Sequence, residues 1–555
     1  MNRRSFVRQA GAVLAERSLE AKARKPGRVQ SGLQPYAGAW TFAEAAHLLR
    51  RTCFGATRAE ILAAVQAGQA AVLNQLLTPG PQPAPPLNPS FTDDPYVPVG
   101  ETWVEAQLGP NTNTYRRRSL SSWSLGQLIG QPLTLVENMT LFWHNHFVIE
   151  ADAVQDARHS YQYIQLLRSQ ALGNFRELAK VVTVNPAMLR YLNGNQNTVA
   201  APNENYAREL FELFTIGKGP LIAEGHYTWY TEHDVKAAAR VLTGWRDRAP
   251  RNAPGAPYSE FVANQHDTTV KQFSEVYGNA QIQPNGDAEY LDLIELIFTK
   301  EETARHLCRK LYRWFVYYVI DETAEQEVIG PMAQALIDHG YEVGPVLRML
   351  LGSEHFFDMA NRGCLIKSPV HFTVGLFRQL AIALPGAAQL AGQYTAWGFV
   401  ADACSEQQQA YLLPPSVAGW PAYYQEPAYH ELWINSVTLP ARNRLTDLLI
   451  TTGYRRGGLR VLIDPVSVAQ QTGDPGDPYA LVDQLAEWLF PMPVPASQRS
   501  FLVTTLLAGI PDYEWTSTWF AWEQDPGNAT LRDGLSAKLQ GLLQTMMRLA
   551  EFQLS

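Results

Sequence analysis

Cysteine is scarce in this chain. Cys53, Cys308, Cys364 and Cys404 are spread over 555 residues with no C-x-x-C pair among them, a pattern that excludes the usual spacing of a thiolate zinc site or a redox dithiol. The long separations leave disulfide pairing open. Long apolar runs are also missing: no stretch of about 18 consecutive apolar residues occurs, so no segment reads as a membrane-spanning helix. Basic clusters are few. Beyond the N-terminal tail the only run of three Lys/Arg residues is Arg116-Arg117-Arg118, and the net charge is −8 with pI about 5.9, which argues against nucleic acid as a partner. What is abundant is core-forming material, with 46% hydrophobic and 18% charged residues, enough to bury a large interior.

Residues 1–37 read as a basic tail that resembles an export signal. Asn2-Arg3-Arg4-Ser5-Phe6-Val7 resembles a twin-arginine motif and is followed by the small apolar run Ala10–Ala15. Export to the periplasm or cell surface is the expectation, with a tail on a cytoplasmic protein as the alternative. Residues 38–555 read as a single large helical domain: mainly α, multi-helix, with long loops and at most a small β hairpin. Thr41 with Glu44, and Thr231 with Asp234, have capping-box spacing. Leu307, Cys308, Leu311, Trp314, Phe315 and Tyr318 share one helical stripe, which makes Cys308 a packing residue. Pro369 sits in the first turn of a helix. Two insertions interrupt the helical pattern. Residues 79–98 hold eight prolines and form a strap or surface loop, and residues 247–286 are rich in Pro, Gly and Asn with a strand or hairpin near Thr268–Phe273.

The densest candidate stretch is Asn203-Glu204-Asn205-Tyr206-Ala207-Arg208-Glu209-Leu210-Phe211-Glu212-Leu213-Phe214-Thr215-Ile216-Gly217. It reads as one short helix, capped by Asn203 and stopped by Gly217. At about 100° per residue Tyr206, Leu210, Leu213 and Phe214 share a face, with Glu209 and Glu212 on its flank. The plain reading is a solvated face with an Arg208–Glu212 ion pair. A second stretch is Phe142-Trp143-His144-Asn145-His146-Phe147. There His146 lies on the buried stripe of Met139, Phe142 and Trp143, and His144 points about 200° away from it, with Glu137 and Thr140. His233, unexplained by the Thr231–Asp234 cap, and the loop pair His266-Asp267 complete the set.

Taken together these stretches resemble a bacterial family catalogued as domain of unknown function 1800. The match is carried by Phe142–Phe147, Asn203–Leu210, Tyr230–Val235 with Thr243-Gly244-Trp245, His266-Asp267 with Lys271, Lys367-Ser368-Pro369, and Pro414–Pro421. The resemblance implies a large, mostly helical, often exported protein whose frequent genetic neighbour is an exported sulfatase-like or phosphatase-like protein. It supplies no reaction. The residue types themselves suggest one divalent metal (zinc, iron or manganese) held by His144, His146, Glu204, Glu209 and Glu212, with Glu209, His233, His266 and Asp267 as catalytic groups for hydrolysis or oxidation. A metal-free alternative is acid–base work on a polysaccharide, with Trp229, Trp245, Trp420 and Trp433 as stacking platforms beside the aromatic residues Tyr423, Tyr424 and Tyr429. The non-enzymatic alternative is an exported scaffold or carbohydrate-binding partner of the neighbour-encoded protein.

Overall fold

The structure, a computed structural model, describes residues 31–250, 252–420 and 430–555. The twin-arginine-like Asn2–Val7 and the tyrosines at 423, 424 and 429 lie outside the described residues. The architecture is mainly α, as the periodicity predicts. The helices that frame the candidate residues are α1 (Phe42–Thr52), α2 (Thr112–Gly130), α3 (Val136–His146), α4 (Ala157–Ser169), α5 (Asn205–Glu209), α6 (Glu232–Val241), α7 (Glu289–Phe298), α8 (Glu301–Phe315), α9 (Pro369–Gln379) and α10 (Leu390–Glu406). Local chemistry sets their starts. Thr41 and Thr231 form the expected capping boxes with Glu44 and Asp234, and Ser368 caps α9 with Pro369 in its first turn. No helix among the described residues is long and apolar enough to cross a membrane.

Strand content exceeds the single small hairpin expected. Among the described residues there are four two-stranded antiparallel ribbons: β1 (Leu221–Ala223) with β2 (His226–Tyr227), β3 (Trp245–Arg248) with β4 (Tyr258–Phe261), β5 (Lys271–Gln272) with β6 (Gln281–Ile282), and β7 (Tyr454–Arg456) with β8 (Leu459–Val461). The β5–β6 ribbon is the one read from residues 247–286. The β7–β8 ribbon is closed by Gly457-Gly458, both at positive φ, a two-residue connection that only glycine makes without strain and whose twist suits a tight hairpin.

The core runs continuously from Ala45 to Phe552. Its densest part surrounds α3, where Trp143 stacks on Phe175 at 5.7 Å and on Phe147 at 5.9 Å between ring centroids. Every α3 residue from Glu137 to His146 is buried, so the helix has no solvated face. His144 is therefore enclosed, instead of lying on a more open flank with Glu137, and Glu137 is itself closed off by a 2.7 Å ion pair to Arg168 of α4. On the far side, α10 crosses α2 at Gly126, where any side chain would run into the Trp397 indole. The Pro-rich segment is a packed strap. Asn88 donates from Nδ2 to the carbonyls of Phe91 and Val97 at 2.9 and 2.7 Å, and Asp94 pairs with the buried Arg116 of α2 at 2.8 Å. All four cysteines are free thiols, with Cys308 in the core.

Candidate functional site

The stretch 203–217 departs from a regular helix in a way that sets its chemistry. The N-cap is Glu204 and not the expected Asn203, whose Oδ1, one residue earlier, accepts the Asn205 N–H at 2.9 Å. After α5 the chain widens into a π-helical turn at Leu210–Phe214. The extra residue in that turn rotates the side chains beyond it. Phe211 enters the core beside Tyr206, Leu210 and Phe214, while Leu213, expected inside, is only part-buried. The carbonyls left over at the end of the turn are met by donors from two other helices. His146 Nε2 of α3 donates to Phe214 O at 2.9 Å, and from α8 Lys310 Nζ and His306 Nε2 reach Leu213 O at 2.7 and 3.2 Å.

Two carboxylates stand where α5 meets the π turn, Glu209 as the last residue of α5 and Glu212 within the turn. Glu212 accepts from Lys218 Nζ at 2.8 Å and from the Tyr230 hydroxyl at 3.2 Å. Glu209 makes no hydrogen bond among the described residues. Burial, and then the neighbouring Glu212 charge, push the Glu209 carboxyl up to about 7, against a smaller opposing pull from Arg208 and Lys218. The expected Arg208–Glu212 pair does not form. Arg208 turns to Glu232 of α6 at 2.5 and 2.8 Å and to Glu204 at 3.1 Å, because the wide turn carries Glu212 away from the i, i+4 position. Arg208 is thereby occupied, which leaves Glu209 short of a compensating cation. Burial and the Glu212 charge raise the Tyr230 hydroxyl as well, so it stays a proton donor to Glu212.

The other candidates sit elsewhere. His266 Nε2 meets Glu289 Oε1 of α7 at 2.9 Å, and its Nδ1 lies 2.9 Å from Thr243 O. Lys271, fully buried, pairs with the second Glu289 oxygen, and the Asn285 N–H donates to Glu289 at 2.9 Å. Asp267 accepts from Arg240 Nε at 2.7 Å and from Thr269. Its carboxyl ends well below the usual range, since these bonds outweigh the effect of burial. His233 is exposed on α6. His144 packs between Tyr411 and Trp420, at 6.0 and 5.6 Å between ring centroids. Neither of its nitrogens makes a well-formed hydrogen bond, and burial lowers its pKa to about 4.

Of the five expected metal ligands, Glu209 and Glu212 adjoin one another, and the other three are engaged with other groups. His146 has both nitrogens committed, since Lys310 Nζ donates to Nδ1 at 3.1 Å; His144 is sealed among aromatic rings; and Glu204 and Glu212 are paired to Arg208 and Lys218. Among the described residues no group of three or more His, Cys, Asp or Glu side chains is arranged to hold a metal ion. Sequence reasoning missed Lys310, which follows Leu307 by one helical turn at the edge of the α8 stripe, and Glu289, which carries no local signal beyond its place in a first turn.

Fold and site define a mainly helical protein with a carboxyl of raised pKa, Glu209, beside a second carboxyl, Glu212, where α5 runs into a π turn. The chain belongs to the family described as a protein of unknown function (DUF1800), whose model matches residues 47–554. No curated protein and no solved structure matches the chain.

Proposed function

We propose that this is an exported protein in which Glu209 and Glu212 act as a general acid and base pair on a hydroxyl-bearing polymer such as a cell-surface polysaccharide. The observation that carries this reading is the Glu209 carboxyl, pushed up to about 7 by burial and by its neighbour Glu212, which in turn accepts hydrogen bonds from Lys218 and Tyr230. Two carboxyls with different proton affinities in one small area can divide the roles of acid and base at one pH. The rim suits a polymer: Tyr227 and Trp229 are part-buried beside the pair, and the adjoining β1–β2 ribbon exposes Leu221 and Ile222. The export part of the proposal rests on Asn2–Val7.

A second reading, a non-enzymatic partner of an exported sulfatase-like or phosphatase-like protein, draws support from the closure of His266, Asp267 and Glu289 into buried pairs. The deciding experiment incubates the full chain, Glu209→Gln and Glu212→Gln with purified surface polysaccharides, scoring both new reducing ends and retention on the immobilised polymer, with elemental analysis of chelator-free protein alongside. The acid–base reading expects cleavage by the wild type, retention by all three, and at least ~100-fold slower cleavage by the variants. Retention without cleavage by the wild type would shift the assignment to the binding partner.

A further inference from the structure

A cleft on the other side of α3 gathers positive charge that no carboxylate of the described residues pairs with. Arg50 and Arg51 from α1 and Lys367 before α9 line it, together with Asn145 of α3, Trp314 of α8 and Trp420, around a free space of about 70 Å³; Arg313 of α8, His371 of α9 and the carboxyl-terminal Ser555 also face it. Arg50, Arg51 and Lys367 are all more than nine-tenths buried, and Arg442 stands fully buried behind Lys367. Their hydrogen bonds run to neutral groups alone. Arg50 donates to the carbonyls of Trp488 and Phe490 at 3.2 and 3.1 Å; Arg51 to those of Phe315, Val316 and Asn361 and to the Cys364 sulfur; Lys367 to Phe552 O at 2.8 Å; and Arg442 to Lys367 O at 2.8 Å, Trp433 O and Gln553. No carboxylate of the described residues pairs with any of the four. Among the described residues, Nε of Arg50, Arg51 and Arg442 and the Trp420 indole N–H have no hydrogen-bond partner.

Such a cluster is expensive for a folded chain. Each buried ion forfeits several kcal/mol of hydration unless a counter-charge restores it. Burial, then Arg50 and Arg442, hold the Lys367 amine well below its ordinary value, as expected where like charges crowd a low-dielectric space. Guanidinium groups suit phosphate and sulfate oxygens because their planar array of N–H donors matches them. About 70 Å³ holds roughly two water volumes, the room of one small polyatomic ion or one end group. Asn145 fixes the far wall, its Oδ1 accepting the Trp420 N–H at 3.0 Å.

We propose that this cleft binds a small oxyanion, a phosphate or sulfate group, whose charge neutralises Arg50, Arg51 and Lys367. The site is separate from the Glu209–Glu212 pair and stands or falls without it. The test is calorimetric titration of the full chain in chloride buffer at constant ionic strength with inorganic phosphate, inorganic sulfate, phenyl phosphate and phenyl sulfate, each in two buffers of different ionisation heat. Saturable 1:1 binding with net proton uptake is expected, because an entering anion restores the charge on Lys367. Tighter binding of the phenyl esters assigns the site to an end group of a larger molecule; equal binding assigns it to the free ion. Lys367→Met should bind roughly tenfold or more weakly and lose the proton uptake, while its Tm without ligand is no lower than that of the wild type. Absence of saturable binding by all four probes, or unchanged affinity and proton uptake in Lys367→Met, overturns the proposal. If that variant fails to fold, the titration of the wild type decides alone: saturable 1:1 binding of at least one probe upholds the proposal and its absence for all four overturns it.

Discussion

Replacing Glu209 by Gln should make the protein more stable at neutral pH and leave it unchanged in acid. The sign comes from linkage. An unfolded glutamate ionises freely near 4.5, whereas in the folded chain burial and Glu212 delay ionisation to about 7, so the wild type gives up stability as pH rises between these values and no more above them. At 1.36 kcal/mol for each tenfold change in acidity, that interval has a ceiling of ~3.4 kcal/mol. Glu209 is only part-buried, so solvent screening reduces the expected gain to about 1–2 kcal/mol. For a cooperative transition of a chain this long, this is ~1–2 °C in Tm. The assay is paired thermal or urea unfolding of wild type and Glu209→Gln from pH 4 to 8. The two curves should coincide at pH 4, diverge through pH 5–7 and run parallel above. Curves parallel over the whole range would show that Glu209 titrates as an ordinary surface carboxylate, and the acid–base proposal would lose its support.

Lys271→Met should cost about 3–5 kcal/mol in chemical denaturation, because it strands the Glu289 charge in the core; Lys271→Met with Glu289→Gln should recover part of that loss, and a single variant within 1 kcal/mol of wild type would refute the pairing. Although burial works to raise it, Glu289 is held low by Lys271 and His266. Its contribution is therefore present above the ordinary carboxylate pKa and lost as pH falls through the lowered value, which acid unfolding of the wild type against the double variant would register. Gly419 has φ +93°, and a β carbon there would meet Asn145 Oδ1. Gly419→Ala should cost at least ~1 kcal/mol, read as a lowered Tm, and a neutral result would show that the Asn145–Trp420 contact is not fixed by that turn.

The parts of the molecule legible in the sequence are those written within one turn of helix. The Thr41–Glu44 and Thr231–Asp234 boxes, Pro369 at a helix start and the stripe that buries Cys308 need only neighbours three or four residues away. The π turn was not legible, since its widening depends on donors that reach its carbonyls from His146, His306 and Lys310, the last 97 residues beyond Leu213. The Arg208–Glu212 expectation failed for the same reason, as Glu232 competes for the guanidinium from a different helix. The carboxyl pair itself is visible as a pattern, but what raises Glu209, its burial first and then the charge of Glu212, depends on how the chain packs around the turn. Nor does periodicity announce the cationic cleft, whose walls come from residues 50, 145, 314, 367 and 420.

The burial of α3 on every side bears on how substitutions there are to be interpreted. His144 meets Tyr411 and Trp420, Asn145 holds Trp420, and His146 meets Phe214 and Lys310, so three consecutive residues answer to three different neighbourhoods. A helix with no solvated face has no position at which a side chain can be exchanged freely, and a mutational scan across it would score every residue as essential. That profile is the one usually taken to mark a catalytic motif, yet here it would arise from packing alone. Loss of activity in a His144 or His146 variant would therefore report the assembly of the interior around Trp143, and only a variant that keeps its unfolding transition intact could speak to chemistry.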